Sequence, residues 1–251
     1  MGLGRRVEFD QIMDGLGMKI GILQTGQAPQ DLRAQQGDYP AMFERLLAGH
    51  GFDFASWHVE GMEFPASVHD ADGWLLTGSR HGVYEDHPFI ASLEQFIREA
   101  FAAGLPVVGI CFGHQIMAQA LGGKVAKFDQ GWAVGAQEYE IEGEKLVLNA
   151  WHQDQVLTPP EGAQTIGRNA FCEHAALGYG KLGYSVQPHP EFDDSFIQGL
   201  IDTRGRGVVP DALLQAASAT QGGERHPHLV AQRIAAHFKQ FATAPAGSES
   251  P

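Results

Sequence analysis

Cysteine is scarce in this chain, with two residues, Cys111 and Cys172, in 251. A single pair in so long a chain is not the dense disulfide framework of a small secreted domain, so a reducing, cytoplasmic setting is expected. Positive charge is scarce as well. Lys and Arg number 17 against 30 Asp and Glu, a formal net charge of -13, with no basic stripe along the chain. Without clustered cations to displace counterions from a phosphate backbone, nucleic acid is not an expected partner. Long apolar runs are missing: none approaches the roughly 20 residues of a membrane span, and the opening "MGLGRRVEFDQIMDGLG" lacks the apolar stretch of a signal peptide. A membrane partner and export are therefore not expected. The glycines of "GLGMKIG" precede a strand instead of following it, so they are no dinucleotide fingerprint, and there is no phosphate loop.

What remains is the composition of one globular domain, 43% apolar and 19% charged, outside the range of disordered chains. "MKIGILQTG", from Met18 to Gly26, reads as a buried first strand that breaks at a glycine. Residues 1–17 read as an extension ahead of it, and Met18 is the expected natural start. "YPAMFERLLAGHG" has helical apolar spacing and a glycine stop, "DFASWHV" is a strand, and "DGWLLTGS" is a strand ending in turn residues. "HPFIASLEQFIREAFAAGLP" is a second amphipathic helix, and "PVVGI" a fourth strand. This alternation predicts an α/β fold, a mostly parallel sheet with helices on both faces. From Gly131 to about Gln187 short strands with turn signals predict an antiparallel flank, one of them "KLVLNAWHQDQV" and another around Cys172. Helices close the chain after Phe192, in "DSFIQGLIDTRG", "VPDALLQAASAT" and "HPHLVAQRIAAHFKQF". Residues 18–241 form the expected domain and 242–251 a frayed, disordered tail.

One stretch carries chemistry. In "PVVGICFGHQIMAQALGG" a strand turns directly into a helix at Gly109-Ile110-Cys111-Phe112-Gly113, the glycine-nucleophile-glycine form of a strained elbow. The helix N-terminus behind Cys111 favours its thiolate. A thiolate nucleophile needs a base, and the base a partner. In "SVQPHPEFDD", at the end of a strand, His189 and Glu191 stand two apart, so an extended backbone puts both on one side. The carboxylate then holds one imidazole nitrogen while the other faces Cys111. An oxyanion hole needs two backbone donors. The Phe112 amide is one, and the turn at Gly78 and Ser79 in "LLTGSRHGVYED" offers the other.

"GICFGHQIMAQALGG", "LLTGSRHGVYED" and "QPHPEF", in that order and spacing, resemble the class I glutamine amidotransferase family over roughly Lys19 to Phe192. The resemblance implies a flavodoxin-like fold that hydrolyses the glutamine side-chain amide through a γ-glutamyl thioester and releases ammonia. Cys111, His189 and Glu191 fall on the family's triad, Ser79 on its first oxyanion glycine, and Phe112 on the second donor. Gln115 falls on a glutamine that helps hold the substrate, and Gln130, Gly131 and Trp132 on a segment that meets the substrate's α-amino and carboxylate groups. The family often reads two glycines where this chain has Gly78-Ser79. No synthetase or ammonia-accepting domain is expected within these 251 residues, and γ-glutamyl peptidases and hydrolases are among the family's standalone members.

The expected function is thus cysteine-dependent glutamine hydrolysis, with a separate synthetase or acceptor protein as partner for the ammonia. The alternatives are a γ-glutamyl peptidase or hydrolase using the same residues, and a non-catalytic regulatory protein that kept the fold. The substrate is a small molecule, glutamine or another γ-glutamyl compound, and neither a metal nor an organic cofactor is expected. His152 and Asp154 in "AWHQDQV" read as cleft lining behind the reacting groups. His114 starts its helix at a different angle from Cys111 and is not assigned as base. Cys172 reads as core, and His226 and His228 as a solvated helix start.

Overall fold

The computed structural model describes residues 17–242. The expected N-terminal extension and C-terminal tail lie, apart from Gly17 and Ala242, outside the described residues. In chain order the elements are β1 (Met18–Leu23), α1 (Gln30–Gln36), α2 (Tyr39–Leu46), β2 (Phe52–Trp57), β3 (Gly73–Leu76), α3 (Pro88–Ala102) and β4 (Val107–Ile110). Then come α4 (Phe112–Ala120), β5 (Lys124–Lys127), β6 (Ala133–Ile141), β7 (Glu144–His152), β8 (Asp154–Thr158), β9 (Gln164–Arg168), β10 (Ala176–Tyr179) and β11 (Gly183–Val186). Helices α5 (Asp194–Leu200), α6 (Asp211–Ala219) and α7 (Pro227–Lys239) follow. Helix starts follow local chemistry: Asp38 accepts the Tyr39 amide at the head of α2, and Pro88, whose missing N–H costs nothing there, opens α3.

Nine strands form one sheet in the order β2-β1-β3-β4-β11-β10-β9-β6-β7. Pairing is parallel from β2 through β11 and antiparallel from β11 to β7, the parallel core and antiparallel flank the sequence predicts. Alternation along the central strands sends side chains to opposite faces. Trp74, Leu76 and Val107 pack with Phe96, Ile116 and Met117 of α3 and α4. Leu75, Val108 and Ile110 pack with Phe43, Ile234 and Phe238 of α2 and α7. Strands covered on both faces are apolar at every position, which is why these runs are short and unbroken. Among the described residues no helix is long and apolar enough to cross a membrane.

Two local expectations are corrected. "KLVLNAWHQDQV" is two strands: at Gln153 the chain leaves the nine-stranded sheet, and β8 pairs with β5 in a separate ribbon. Cys172 is buried but precedes β10 in a loop where the Asn169 side chain accepts its amide, a turn bond that competes with strand pairing.

Parallel strands end on the same edge of the sheet. Leu23, Leu76, Ile110 and Val186 therefore terminate together, and the residues just beyond them share one rim, where open α/β sheets bind ligands.

Candidate active site

The elbow begins at β4. Cys111 has φ 53 and ψ -104, outside the regions an L residue prefers, a strain of about 1–3 kcal/mol that the surrounding structure must hold in place. It is held by the Cys111 amide donating to Val186 of β11 (2.9 Å) and by the Gly113 amide donating to Thr77 beyond β3 (3.1 Å). The thiol consequently stands at the head of α4, 6% exposed.

His189 and Glu191 meet in a turn, not in the extended segment expected. Strand β11 ends at Val186; His189 then bridges to Asn149 of β7, and its amide donates to the Asn149 carbonyl at 2.8 Å. The Asn149 side chain donates to the Phe192 carbonyl at 2.9 Å, closing the turn from the other side. Within it His189 Nδ1 lies 2.7 Å from Glu191 Oε1, with both side chains essentially sealed from solvent. The Phe192 ring stacks on the imidazole at 3.9 Å and 5°. A Cβ on Gly78 would lie 3.0 Å from His189 Cε1 and 3.9 Å from Cys111 Cβ, so the three residues meet at one point. Burial pulls the His189 pKa down, but the charge of ionised Cys111, with that of Glu191, outweighs it and pushes the pKa up to about 10.

The Gly78-Ser79 turn is anchored by threonines. The Gly78 carbonyl lies 3.0 Å from the hydroxyls of both Thr25 and Thr77. A trans peptide directs its N–H opposite to its C=O, so the Ser79 amide points away from those threonines, toward the rim. Ser79 is not among the residues with positive φ, so serine sits there without strain. Its hydroxyl accepts the His81 amide at 3.2 Å.

A cleft of about 600 Å³ opens over these groups, lined in part by Ser79, Cys111, Gln115, Trp132, His152 and His189. Gln115 reaches it, but its amide nitrogen is turned inward, donating to the Asp154 carbonyl (2.8 Å) and to Gln187 (3.0 Å), which leaves its oxygen free for a ligand. Of the segment expected to meet a substrate, Trp132 is on the wall, whereas Gln130 and Gly131 lie in the turn before it and are not among the lining residues. His152 and Asp154 line the cleft as expected. Burial, then the charge on His189, holds the His152 pKa down at about 3, so the ring is neutral. His114 is fully buried with Nδ1 2.7 Å from the Ser185 hydroxyl, and burial puts its pKa near 3. Its Nδ1 is committed to Ser185, and it is not among the residues that line the cleft over Cys111.

Sequence reasoning missed Tyr39 and Arg204, which the fold brings to the cleft from α2 and from the π-type turn Ile201–Gly205 after α5. Burial raises the Tyr39 pKa well above the usual phenol range, partly opposed by the Arg204 guanidinium beside it. Arg204 Nη2 also donates to the Gln27 carbonyl at 2.9 Å. No local signal marks either residue, since they stand 165 positions apart. His81, Glu85 and His87, on the loop beyond Ser79, are a set able to ligate a metal. His226 and His228, expected as a solvated helix start, are not such a pair: their rings are 6.3 Å apart, and His226 Nδ1 accepts the Val147 amide at 2.9 Å.

Exchanging Glu191 for glutamine keeps shape and removes charge. Because Glu191 helps hold the proton on His189, the variant should lower the imidazole pKa and shift the basic limb of the kcat/KM profile to lower pH. The rate should fall on the order of 10²–10⁴-fold through the lost orientation. An unmoved limb with an unchanged rate would remove Glu191 from the reaction.

Comparison with known proteins identifies relatives of the whole chain. The family model described as Glutamine amidotransferase class-I matches residues 50–196. The chain is 27% identical to gamma-glutamyl peptidase 4 of Arabidopsis thaliana over 220 residues, covering 80% of this chain and 87% of that protein. It is 34% identical over 170 residues to the glutamine-hydrolyzing GMP synthase of Vibrio vulnificus, covering 61% of this chain but 31% of the synthase. Among solved structures, a glutamine amidotransferase from Methylobacillus flagellatus superposes with a TM-score of 0.72 at 20% identity, covering 94% of this chain and all of that one.

Proposed function

This chain belongs to the class I glutamine amidotransferase family, and we propose that it is a cysteine amidohydrolase that cleaves γ-glutamyl amide bonds, with amines larger than ammonia as leaving groups. The observation that carries the reading is the meeting of strained Cys111 with a His189 that Glu191 holds at 2.7 Å. Cys111 attacks the γ-carbonyl carbon, and the charge that develops on its oxygen is taken by the Ser79 and Phe112 amides. His189, protonated, gives its proton to the departing nitrogen; the C–N bond breaks and a γ-glutamyl thioester remains. Water, deprotonated by His189, then opens the thioester to glutamate and free thiol.

Two observations support the larger leaving group. The cleft volume of about 600 Å³ is in the middle of the range for small-molecule sites, about 300–1,000 Å³. A relative matched over most of its own length is named a peptidase, whereas this chain spans less than a third of the synthase. Glutamine is then the smallest substrate, and delivery of ammonia to a separate synthetase is the competing reading. Both cysteines are free, which suits a cytoplasmic setting.

Purified protein incubated with L-glutamine and a panel of γ-glutamyl amines and dipeptides tests this by amine release. Faster turnover of the larger amides supports it; glutamine alone returns the reading to a glutaminase. Silence on every substrate, with Cys111 unreactive to a glutamine-analogue electrophile, leaves the non-catalytic alternative.

Arg204 is the proposed anchor for the substrate's α-carboxylate, since it lines the cleft and Tyr39 and Gln27 hold it in place. A charge-assisted bond contributes about 1.5–3 kcal/mol, so Arg204→Gln should raise KM roughly 10–100-fold with kcat little changed. Against a substrate whose α-carboxylate is amidated, wild type and variant should perform alike. A variant that still discriminates the two substrates places the anchor elsewhere.

A further inference from the structure

The loop between β3 and α3 carries a second cluster. The donor atoms of His81, Glu85 and His87 all lie within 4.8 Å of one another. His81 Nδ1 is 3.4 Å and His87 Nε2 2.8 Å from the same oxygen, Glu85 Oε2. The other nitrogen of His81, Nε2, is 2.9 Å from Glu60 Oε1, and its ring lies 4.1 Å from that of His87. The His81 side chain is 14% exposed and Glu60 19%, so water screens this pair poorly.

Counting protons shows what the arrangement needs. A neutral imidazole has one N–H. Glu60, an acceptor, takes the Nε2 hydrogen, which leaves a lone pair on Nδ1 facing a carboxylate oxygen that also has only lone pairs. Two such atoms 3.4 Å apart repel; a cation between them reverses the sign. Either a second proton on His81 or a metal ion satisfies the geometry.

We propose that His81 Nδ1, His87 Nε2 and Glu85 Oε2 bind a divalent ion of the zinc class. Two imidazoles and a carboxylate with a fourth position open is a set zinc takes, whereas magnesium and calcium prefer oxygen alone. Ligand bonds of about 2.0–2.1 Å at tetrahedral angles place donors roughly 3.3 Å apart, close to the His81–Glu85 separation; the His87–Glu85 contact opens by about half an ångström. Glu60 is the positioning residue, since a carboxylate on the far nitrogen fixes the tautomer and raises the basicity of a ligating imidazole. His81 and Glu85 also line the cleft that holds Cys111. An ion there ties the wall that begins at Ser79 to the start of α3.

The experiment uses untagged full-length Cys111→Ser protein, stripped with a chelator, so that the thiolate near His189 does not compete. Calorimetric titration with Zn²⁺ should show one equivalent bound, and Co²⁺ should give the intense visible absorption of a four-coordinate site. His87→Asn, a change at a half-exposed ring, should remove that binding. Glu60→Gln should keep the stoichiometry and weaken affinity about 10–100-fold, as loss of an orienting partner does. No stoichiometric Zn²⁺ binding, or binding that His87→Asn and Glu85→Gln leave unchanged, would overturn the proposal and make the cluster a proton-shared hydrogen-bond network.

Discussion

Cys111→Ala should abolish amine release from every γ-glutamyl substrate the protein turns over, a fall on the order of 10⁴–10⁶ in kcat, as removal of a covalent nucleophile produces. The expectation rests on chemistry and not on folding. Alanine keeps the Cβ, so the strain at φ 53 is unchanged, and the bonds that hold the elbow are backbone bonds, Cys111 to Val186 and Gly113 to Thr77. The melting temperature should therefore stay within a few degrees of wild type while labelling by a glutamine-analogue electrophile disappears. Turnover near the wild-type rate would mean that Cys111 forms no thioester, and the triad would have to be abandoned with it.

The second large effect is expected two residues on, and there structure and activity should fail together. At Gly113 an added Cβ would lie 2.4 Å from the Leu76 carbonyl oxygen and 2.8 Å from the Leu76 Cβ. These belong to the last residue of β3, which hydrogen bonds to β1 and β4 on both sides, so no flexible side chain can yield. In a helix Gly→Ala ordinarily stabilises, by about 0.8–1 kcal/mol. Here the sign should reverse: overpacking of a rigid site costs roughly 1–3 kcal/mol, occasionally more, and each kcal/mol lowers Tm by about 2–4 °C in a chain of this size. The first turn of α4 has to lift from β3, moving the Phe112 amide and Cys111 together. A displacement of about 1 Å at reacting groups costs on the order of 100-fold in rate. Differential scanning calorimetry beside kinetics checks both parts, and a rise in Tm with activity retained would show that the elbow does not depend on this contact.

Much of the candidate site was legible because it is local. Cys111 is exposed by the strand, glycine and helix signals within five residues of it, and His189 pairs with a residue two positions away. The pairing survives even though the segment is a turn and not the extended backbone assumed, since Asn149 folds His189 back toward Glu191. Gln130 and Gly131 show the limit. Their positions matched a motif, yet the turn after β5 leaves them off the wall while Trp132 reaches it. Gln115 reaches the cleft with its amide nitrogen already committed to Asp154 and Gln187, and both acceptors are set by where β8 and the segment after β11 happen to pass.

By itself, then, the sequence determined the alternation of elements, the apolar strands covered on two faces, and the elbow, all consequences of short-range backbone sterics and side-chain periodicity. It did not determine who faces whom across the rim. Arg204 beside Tyr39, Glu60 behind His81, and Thr25 on the Gly78 carbonyl are contacts between segments 21 or more residues apart. Only the tertiary structure decided them, because parallel strands carry distant stretches of chain to one edge of the sheet, and nothing in a local pattern records which stretches arrive there together.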